Sequence, residues 1–156
     1  MSNKTKEQNY ELLLKEAKAL LLPSDHFVSR LANACALIQK YFNHHWVGFY
    51  LVDDSKNMLY LGPFQGPIAC TQIPFDKGVC GSAWARRETL VVDDVHQFPG
   101  HIACSSLSNS EIVVPMINDE NKVIGVLDID SVNFGSFNKT DKESLESLCR
   151  MICQSV

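Results

Sequence analysis

The sequence has no long hydrophobic run, no basic cluster and no Cys-x-x-Cys pair. No segment approaches the roughly 18 apolar residues of a membrane helix, and the N-terminus lacks the apolar stretch of a signal peptide. With 14 basic and 18 acidic residues, the net charge of -4 disfavours binding to a phosphate backbone. We therefore expect a cytoplasmic protein that binds neither membranes nor nucleic acid, and whose six cysteines rest as thiols.

Internal repeats, low-complexity tracts and linkers are also absent from the sequence. A length of 156 residues suits one domain, and 46% hydrophobic with 21% charged residues is typical of a globular protein. We predict a single domain over 1–156, with helices in 1–44, a sheet and its functional loops in 45–137, and a last helix in 138–156.

Helical patterns lie at both ends of the chain. Residues 5–22 form an acidic and basic helical pattern that Pro23 would end. Ser24 then has the position of an N-cap for a second helix with apolar residues at three- and four-residue steps. Thr140 and Glu143 have the spacing of a capping box before the last helix.

Between the helices, apolar stretches alternate with turn-like ones. "WVGFYLV" and "MLYLGPF" flank "DDSKN", and "EIVVPMI" and "VIGVLDID" flank "NDENK", so each pair predicts a hairpin. "CTQIPF" and "TLVVDDV" predict two more strands, with a short helix over "GVCGSAWARRE". Short turns between adjacent strands favour an α+β domain with a mainly antiparallel sheet of about six strands.

The six cysteines fall into two groups. Three lie on or beside apolar stripes of predicted helices and are expected in the core: Cys35, Cys149 and Cys153. Cys70, Cys80 and Cys104 instead stand among glycine, proline and small polar residues, which indicates accessible thiols near the surface. Cys80 also begins a predicted helix, where the helix dipole favours a thiolate.

The second group allows several interpretations. The three thiols could be structural residues that happen to lie in loops. A zinc site with His96 or His101 is disfavoured by the irregular spacing, and a Cys–His hydrolase by the weak evidence for a pair. We favour a redox set, in which one thiolate attacks and another resolves.

Carboxylates collect at the end of the second hairpin. Alternation places Asp128 and Asp130 on one strand face with Ile124 and Val126; the opposite face carries Val123, Leu127 and Ile129. If the hairpin loop has an even length, as we expect, Glu111 lies across from one of the two aspartates and points the same way. An odd loop or a bulge would turn it away.

Three such carboxylates could bind a metal or an ammonium group, or one of them, with a raised pKa, could donate a proton. The alternative is that Asp128 and Asp130 only end the strand and begin a loop. Trp46 and Tyr50 share a face of the first strand. They are typical core aromatics, and a candidate wall for a small apolar group such as a methyl.

Several of these stretches together resemble one family. "HWVGFYL", "GPIACTQIP", "GVCG", "DVHQFPGHIACSSLSNSEIVVP" and "GVLDIDS" followed by "FGSF" are similar to the free methionine-(R)-sulfoxide reductases, which are single GAF domains. The resemblance runs from Trp46 to Phe137. It implies a GAF-like fold, with helices packed on one face of the central sheet and a pocket under loops on the other.

The resemblance also implies an activity, the reduction of free L-methionine-(R)-sulfoxide without a cofactor or bound metal. By the family's pattern, Cys104 becomes a sulfenic acid and Cys70 forms a disulfide with it, which thioredoxin reduces. Cys80 lies in the same active site, and whether Cys104 or Cys80 attacks first stays open.

The family's acidic pocket residues fall on Glu111, Asp128 and Asp130, and its aromatic wall on Trp46 and Tyr50. Helices at both ends of the chain are compatible with a homodimer. The alternative function is that of a GAF-type sensor, in which the cysteines report oxidation without turnover.

Overall fold

The computed structural model describes residues 3–156. The four α-helices of this part of the chain are α1 (Lys6–Leu20), α2 (Phe27–Phe42), α3 (Gly78–Arg86) and α4 (Lys139–Ile152). Its six strands are β1 (Trp46–Asp53), β2 (Met58–Gln65), β3 (Gln72–Pro74), β4 (Leu90–Val92), β5 (Ser110–Ile117) and β6 (Val123–Ser131). A 3-10 turn over Val95–Gln97 follows β4. The predicted α+β class is confirmed.

All six strands form one antiparallel sheet in the order β3-β2-β1-β6-β5-β4. Both predicted hairpins are present, as β1–β2 and β5–β6. The two hairpins meet in the middle of the sheet, where β1 pairs with β6. The ends of these two central strands therefore lie side by side, although some 80 residues separate them in the chain.

Each face of the sheet buries its own apolar cluster. Helices α1, α2 and α4 cover one face, and the fully buried side chains of Phe49, Ile112 and Leu127 point into the core beneath them. The other face carries α3 and the loops, with a second cluster around Tyr50 and Val126. The short helix α3 thus lies on the face that the resemblance assigns to the pocket. Among the described residues, no helix has the length and hydropathy needed to cross a bilayer.

The predicted helix caps are each two residues off. Ser24 lies in a turn and is not the N-cap of α2; that position is taken by His26, which makes no side-chain cap hydrogen bond. At α4 the capping box is formed by Asn138 and Asp141 rather than by Thr140 and Glu143. Asparagine and threonine are both good caps, and spacing alone does not choose between Asn138 and Thr140.

In the β5–β6 hairpin, Glu111 points to the same face as Asp130, as predicted, but the loop and the register that produce this differ from the prediction. Five residues separate the innermost pair, Ile117 and Val123, so the loop length is odd. A register shift at Met116/Ile117 adds one residue on β6 and reverses the effect of the odd loop. Glu111 consequently pairs with Asp130, as the even-loop prediction requires. The same shift exchanges the faces predicted for Val123 and Ile124.

Candidate active site

A partly enclosed pocket lies between the sheet, α3 and two loops, residues 66–71 and 98–109. It is lined by seven of the eight residues singled out in the sequence: Trp46, Tyr50, Cys80, Cys104, Glu111, Asp128 and Asp130. The eighth, Cys70, is covalently joined to one of them. The sequence interpretation therefore collected residues from six separate segments into one site.

Cys70 and Cys104 form a disulfide, with their Cα atoms 5.4 Å apart. Both residues are half-buried, so the bond lies at the pocket entrance and within reach of solvent. Each cysteine comes from one of the two entrance loops, 34 residues apart in the chain. The interpretation of these loop cysteines as a redox pair gains support, whereas a zinc site on all three thiols would need this bond broken.

Three side chains of the site form a row across neighbouring strands. Asp130 on β6 pairs with Trp46 of β1 on one side and with Glu111 of β5 on the other. One step along, Asp128 pairs with Gly48 and Val113. Side chains at directly paired positions point to the same face of a sheet. The register thus places an acidic floor (Glu111, Asp128 and Asp130) beside an aromatic wall (Trp46 and Tyr50).

Burial and mutual repulsion hold protons on this floor. Burial and the neighbouring Asp130 raise the pKa of Glu111 to about 8. Burial, followed by the charge of Glu111, raises the pKa of Asp128 well above its usual range, and burial with Asp128 does the same for Asp130. Compared with exposed carboxyl groups, all three therefore favour the protonated form.

Cys80 differs from its prediction. Its side chain is buried, and its Sγ lies 3.9 Å from Glu111 Oε1. Burial and the surrounding carboxylates, Asp128 first, raise the pKa of its thiol well above the ordinary value. The prediction of an accessible thiolate at Cys80 is wrong, because desolvation and three nearby acids outweigh the dipole of a nine-residue helix.

The cysteines of the helical segments are buried as expected, whereas the expectation that all six cysteines rest as thiols is wrong for Cys70 and Cys104, which form the disulfide. Cys35, Cys149 and Cys153 are free, buried thiols in the core under the helices.

His96 lies outside the pocket, with its Nε2 2.9 Å from Asn109 Oδ1. His101 does line the pocket, so of the two histidines considered as partners for the cysteines only this one is in position.

The aromatic wall is held by hydrogen bonds as well as by packing. Trp46 stacks between Tyr50 and Phe64, at centroid distances of 5.9 and 5.3 Å. The Trp46 indole N–H donates to the carbonyl of Pro67 at 3.1 Å. The Tyr50 hydroxyl donates to the carbonyl of Cys70 at 2.9 Å. The two rings thereby anchor the loop that presents Cys70.

Gly48 is a site residue that the sequence interpretation missed. A Cβ at this position would come within 2.4 Å of the Trp46 ring and 2.5 Å of the Cβ of Phe64, so only glycine leaves room for the indole. A glycine between aromatics in the middle of a strand signals such a close approach. That signal was available in "WVGFY".

Several contacts of the 98–109 loop were also missed. Ser108 is buried and lines the pocket, and its side chain lowers the pKa of Asp130 against the larger effect of burial. His101 Nε2 lies 3.7 Å from Glu111 Oε2, and burial lowers the pKa of this imidazole. His45 Nε2 lies 3.1 Å from Ser105 Oγ, beside Cys104. These contacts depend on how an irregular loop folds back over the sheet, which no sequence period encodes.

Comparison with known proteins agrees with this geometry. The GAF domain family model matches residues 29–152. A GAF domain-containing protein A from Dictyostelium discoideum is 49% identical over 97% of this chain and 95% of its own length. A free methionine-R-sulfoxide reductase from Saccharomyces cerevisiae is 44% identical over 99% of this chain and 89% of its own.

A solved structure shows the same similarity in three dimensions. The free methionine-R-sulfoxide reductase from Neisseria meningitidis, in complex with its substrate, matches with a TM-score of 0.93 and 47% identity. The match covers 97% of this chain and 90% of that one. The chain belongs to the GAF domain family and, within it, to the free methionine-R-sulfoxide reductases.

Proposed function

We propose that this protein reduces free L-methionine-(R)-sulfoxide to L-methionine, with Cys104 as the attacking residue. The observation that carries the proposal is the Cys70–Cys104 disulfide at the entrance of a pocket floored by Glu111, Asp128 and Asp130. The identity to named reductases over nearly the whole chain supports the same activity. The roles of individual residues below are part of the proposal.

The first step needs an acid and a nucleophile. A sulfoxide is a poor electrophile until its oxygen accepts a proton, and the acidic floor, with the pKa of Glu111 raised to about 8, holds protons to donate. The Cys104 sulfur then attacks the sulfoxide sulfur and receives its oxygen. Methionine leaves, reduced by two electrons, and Cys104 becomes a sulfenic acid, oxidised by two.

Cys104 suits this step better than Cys80. Cys80 is buried against Glu111 and Asp128, and its raised thiol pKa leaves little thiolate. Cys104 lies at the half-buried entrance, where it is accessible once reduced. We assign Cys80 to lining the pocket beside the acids rather than to the first attack.

The second step regenerates the enzyme. The Cys70 thiol condenses with the sulfenic acid at Cys104, releasing water and giving the disulfide. An external dithiol, for which thioredoxin is our candidate, then exchanges with this disulfide and leaves two thiols on the enzyme. A cytoplasmic location would supply such a reductant.

The pocket also suits a free amino acid. The ammonium group of the substrate would find Asp128 Oδ1, a buried carboxyl oxygen without a hydrogen-bond partner. The Trp46 ring supplies an apolar surface for the sulfoxide methyl group. Methionine in the middle of a peptide has no ammonium group to offer, so the proposal predicts selectivity for the free amino acid.

The activity is tested by following NADPH oxidation with thioredoxin, thioredoxin reductase and a chelator. The free R epimer should turn over, whereas the S epimer and N-acetylmethionine sulfoxide should not. If dithiothreitol supports turnover and thioredoxin does not, the activity stands and the reductant is another dithiol. No turnover with either reductant would refute the proposal and favour a sensor.

The order of the cysteines is tested in single-turnover assays on the reduced protein. Cys104→Ser should form no methionine. Cys70→Ser should form one equivalent of methionine and then stop with thioredoxin, because no disulfide forms for exchange. Cys35→Ser, in the core away from the pocket, is the control and should behave as wild type. Methionine formation by Cys104→Ser would identify Cys80 as the attacker.

A further inference from the structure

We propose that the same pocket binds a divalent cation of the zinc type through Cys80, Glu111 and Asp128, and that the bound cation excludes the substrate. The cation would act as an inhibitor that occupies the pocket at times, not as a resident cofactor. The cation site is defined by these three side chains, and its existence does not depend on the reductase activity.

The ligand atoms already have suitable separations. The Cys80 sulfur, one Glu111 oxygen and one Asp128 oxygen all lie within 4.8 Å of one another, and the sulfur lies 3.9 Å from Glu111 Oε1. Bonds of about 2.3 Å from zinc to sulfur and about 2.0 Å to oxygen separate tetrahedral ligands by roughly 3.5 Å. The Cys80 sulfur and Glu111 Oε1 must therefore approach by roughly 0.4 Å, and the other pairs by at most about 1.3 Å, to close the site.

A second observation points to a missing cation. Asp128 Oδ1 is buried and has no hydrogen-bond partner, although its carboxyl group lines the pocket. Asp128 as a residue is only 6% exposed. A buried carboxyl oxygen without a donor is costly, and a cation placed next to it removes that cost.

The chemistry of the set selects the cation. A buried sulfur beside two carboxyl groups favours borderline metals such as zinc or cobalt, whereas magnesium and calcium prefer six or more oxygen ligands. His101 Nε2 lies 3.7 Å from Glu111 Oε2, on the opposite oxygen from Cys80. A neutral imidazole or a water molecule can therefore supply the fourth ligand.

The position of the site accounts for competition with substrate. The cation would occupy the acidic floor and use the Asp128 oxygen assigned above to the substrate's ammonium group. It would also tie up Glu111, one of the proton donors. This competition rests on the proposed function, whereas binding of the metal does not.

The test uses the untagged, oxidised protein, in which the disulfide removes Cys70 and Cys104 as ligands. Titration with cobalt should give one cobalt per chain, with the intense absorption of a cobalt–thiolate bond, and zinc should displace it. Cys80→Ala should abolish the thiolate absorption and weaken zinc binding by about 100-fold or more. Cys149→Ala removes another buried thiol outside the pocket, and should bind as wild type.

A second variant keeps the proposal falsifiable if Cys80→Ala fails to fold. Asp128→Asn should weaken zinc binding by about 10-fold or more while leaving the thiolate absorption at saturating cobalt. Saturating free methionine sulfoxide should weaken zinc binding in wild type. Absence of binding in wild type, or unchanged binding in both variants, would overturn the metal site. Since turnover is measured with a chelator present, failure here leaves the reductase proposal intact.

Discussion

At the scale of residues, the site depends on three carboxyl groups whose burial and mutual crowding favour the protonated form. Alternation along β6 predicted that Asp128 and Asp130 share a face, and the register of β5 brings Glu111 to that face. Glu111 and Asp128 are buried, enclosed by the sheet, α3 and the 98–109 loop. Charge on any one of them disfavours charge on the others.

Replacing Asp130 by asparagine tests whether this crowding serves substrate rather than folding. Asp130→Asn should reduce kcat/KM for free methionine sulfoxide by about 10-fold or more, because one acid is lost from the floor. The melting temperature should be unchanged or raised, since an amide is neutral at any pH and a buried carboxyl group is neutral only when it has taken up a proton. The exposed Asp25→Asn is the control, and should change neither quantity.

A large fall in the melting temperature of Asp130→Asn, with kcat/KM preserved, would assign Asp130 to structure alone. In that case the two aspartates only end β6, which is the alternative that the sequence left open.

Cys80 shows where residue-level prediction reaches its limit. Its place at the start of a helix was read correctly, but the sequence did not reveal that Glu111 and Asp128 lie against that helix start. Local sequence shows the dipole of a helix, whereas the neighbours of a buried thiol are set by packing between distant segments. The position of His101 beside Glu111 could not be predicted for the same reason.

At the scale of elements, the strands were predictable because their apolar runs are bounded by short polar turns. Both hairpins and all four helical segments, the short α3 included, appear where the patterns place them. The bulge at Met116/Ile117 was not predictable from alternation, because Val123 and Ile124 are both apolar and suit either face. Helix starts were the least certain, as α4 illustrates.

The start of α4 offers a direct comparison between two candidate caps. Asn138 Oδ1 accepts the backbone N–H groups of Thr140 and Asp141. Asn138→Ala should therefore lower the free energy of unfolding by about 1 kcal/mol in urea titrations. Thr140→Ala removes only an exposed contact to Glu7, and should cost less than about 0.5 kcal/mol. Equal losses in the two variants would restore Thr140 as the cap.

At the scale of the whole molecule, the larger apolar core and the candidate active site lie on opposite faces of the sheet. The face under α1, α2 and α4 holds the larger apolar cluster, and the opposite face holds the pocket. The resemblance predicted this division, and the sequence patterns alone did not, since they do not say on which face a helix packs. That residues 1–156 form a single domain, and that the chain dimerises, remain predictions.

One half-buried histidine on the helix side, whose Nε2 is fully enclosed, should make stability depend on pH. His44 lies between Phe42 and Phe137, with ring centroids 5.5 Å away on each side. Burial lowers its pKa from 6.5 to about 4. Because the unfolded chain takes up this proton first, the contribution of His44 to stability is present above pH 6.5 and is lost as the pH falls towards 4.

His44→Phe should remove this contribution to the acid-side loss. Urea midpoints measured across the interval from pH 6.5 to about 4 should fall less steeply in the variant than in wild type. His26→Phe replaces an exposed histidine and is the control, with a pH profile like that of wild type. Parallel profiles for His44→Phe and wild type would assign the pH dependence to other groups.

The disulfide fastens together the two loops that frame the entrance, and Tyr50 fastens one of them to the sheet. Under the proposed chemistry, a molecule that has reduced one sulfoxide cannot reduce another until an external dithiol has reduced its Cys70–Cys104 disulfide. One dithiol is then oxidised for each methionine formed. When methionine sulfoxide is abundant, the supply of that dithiol limits the rate of turnover.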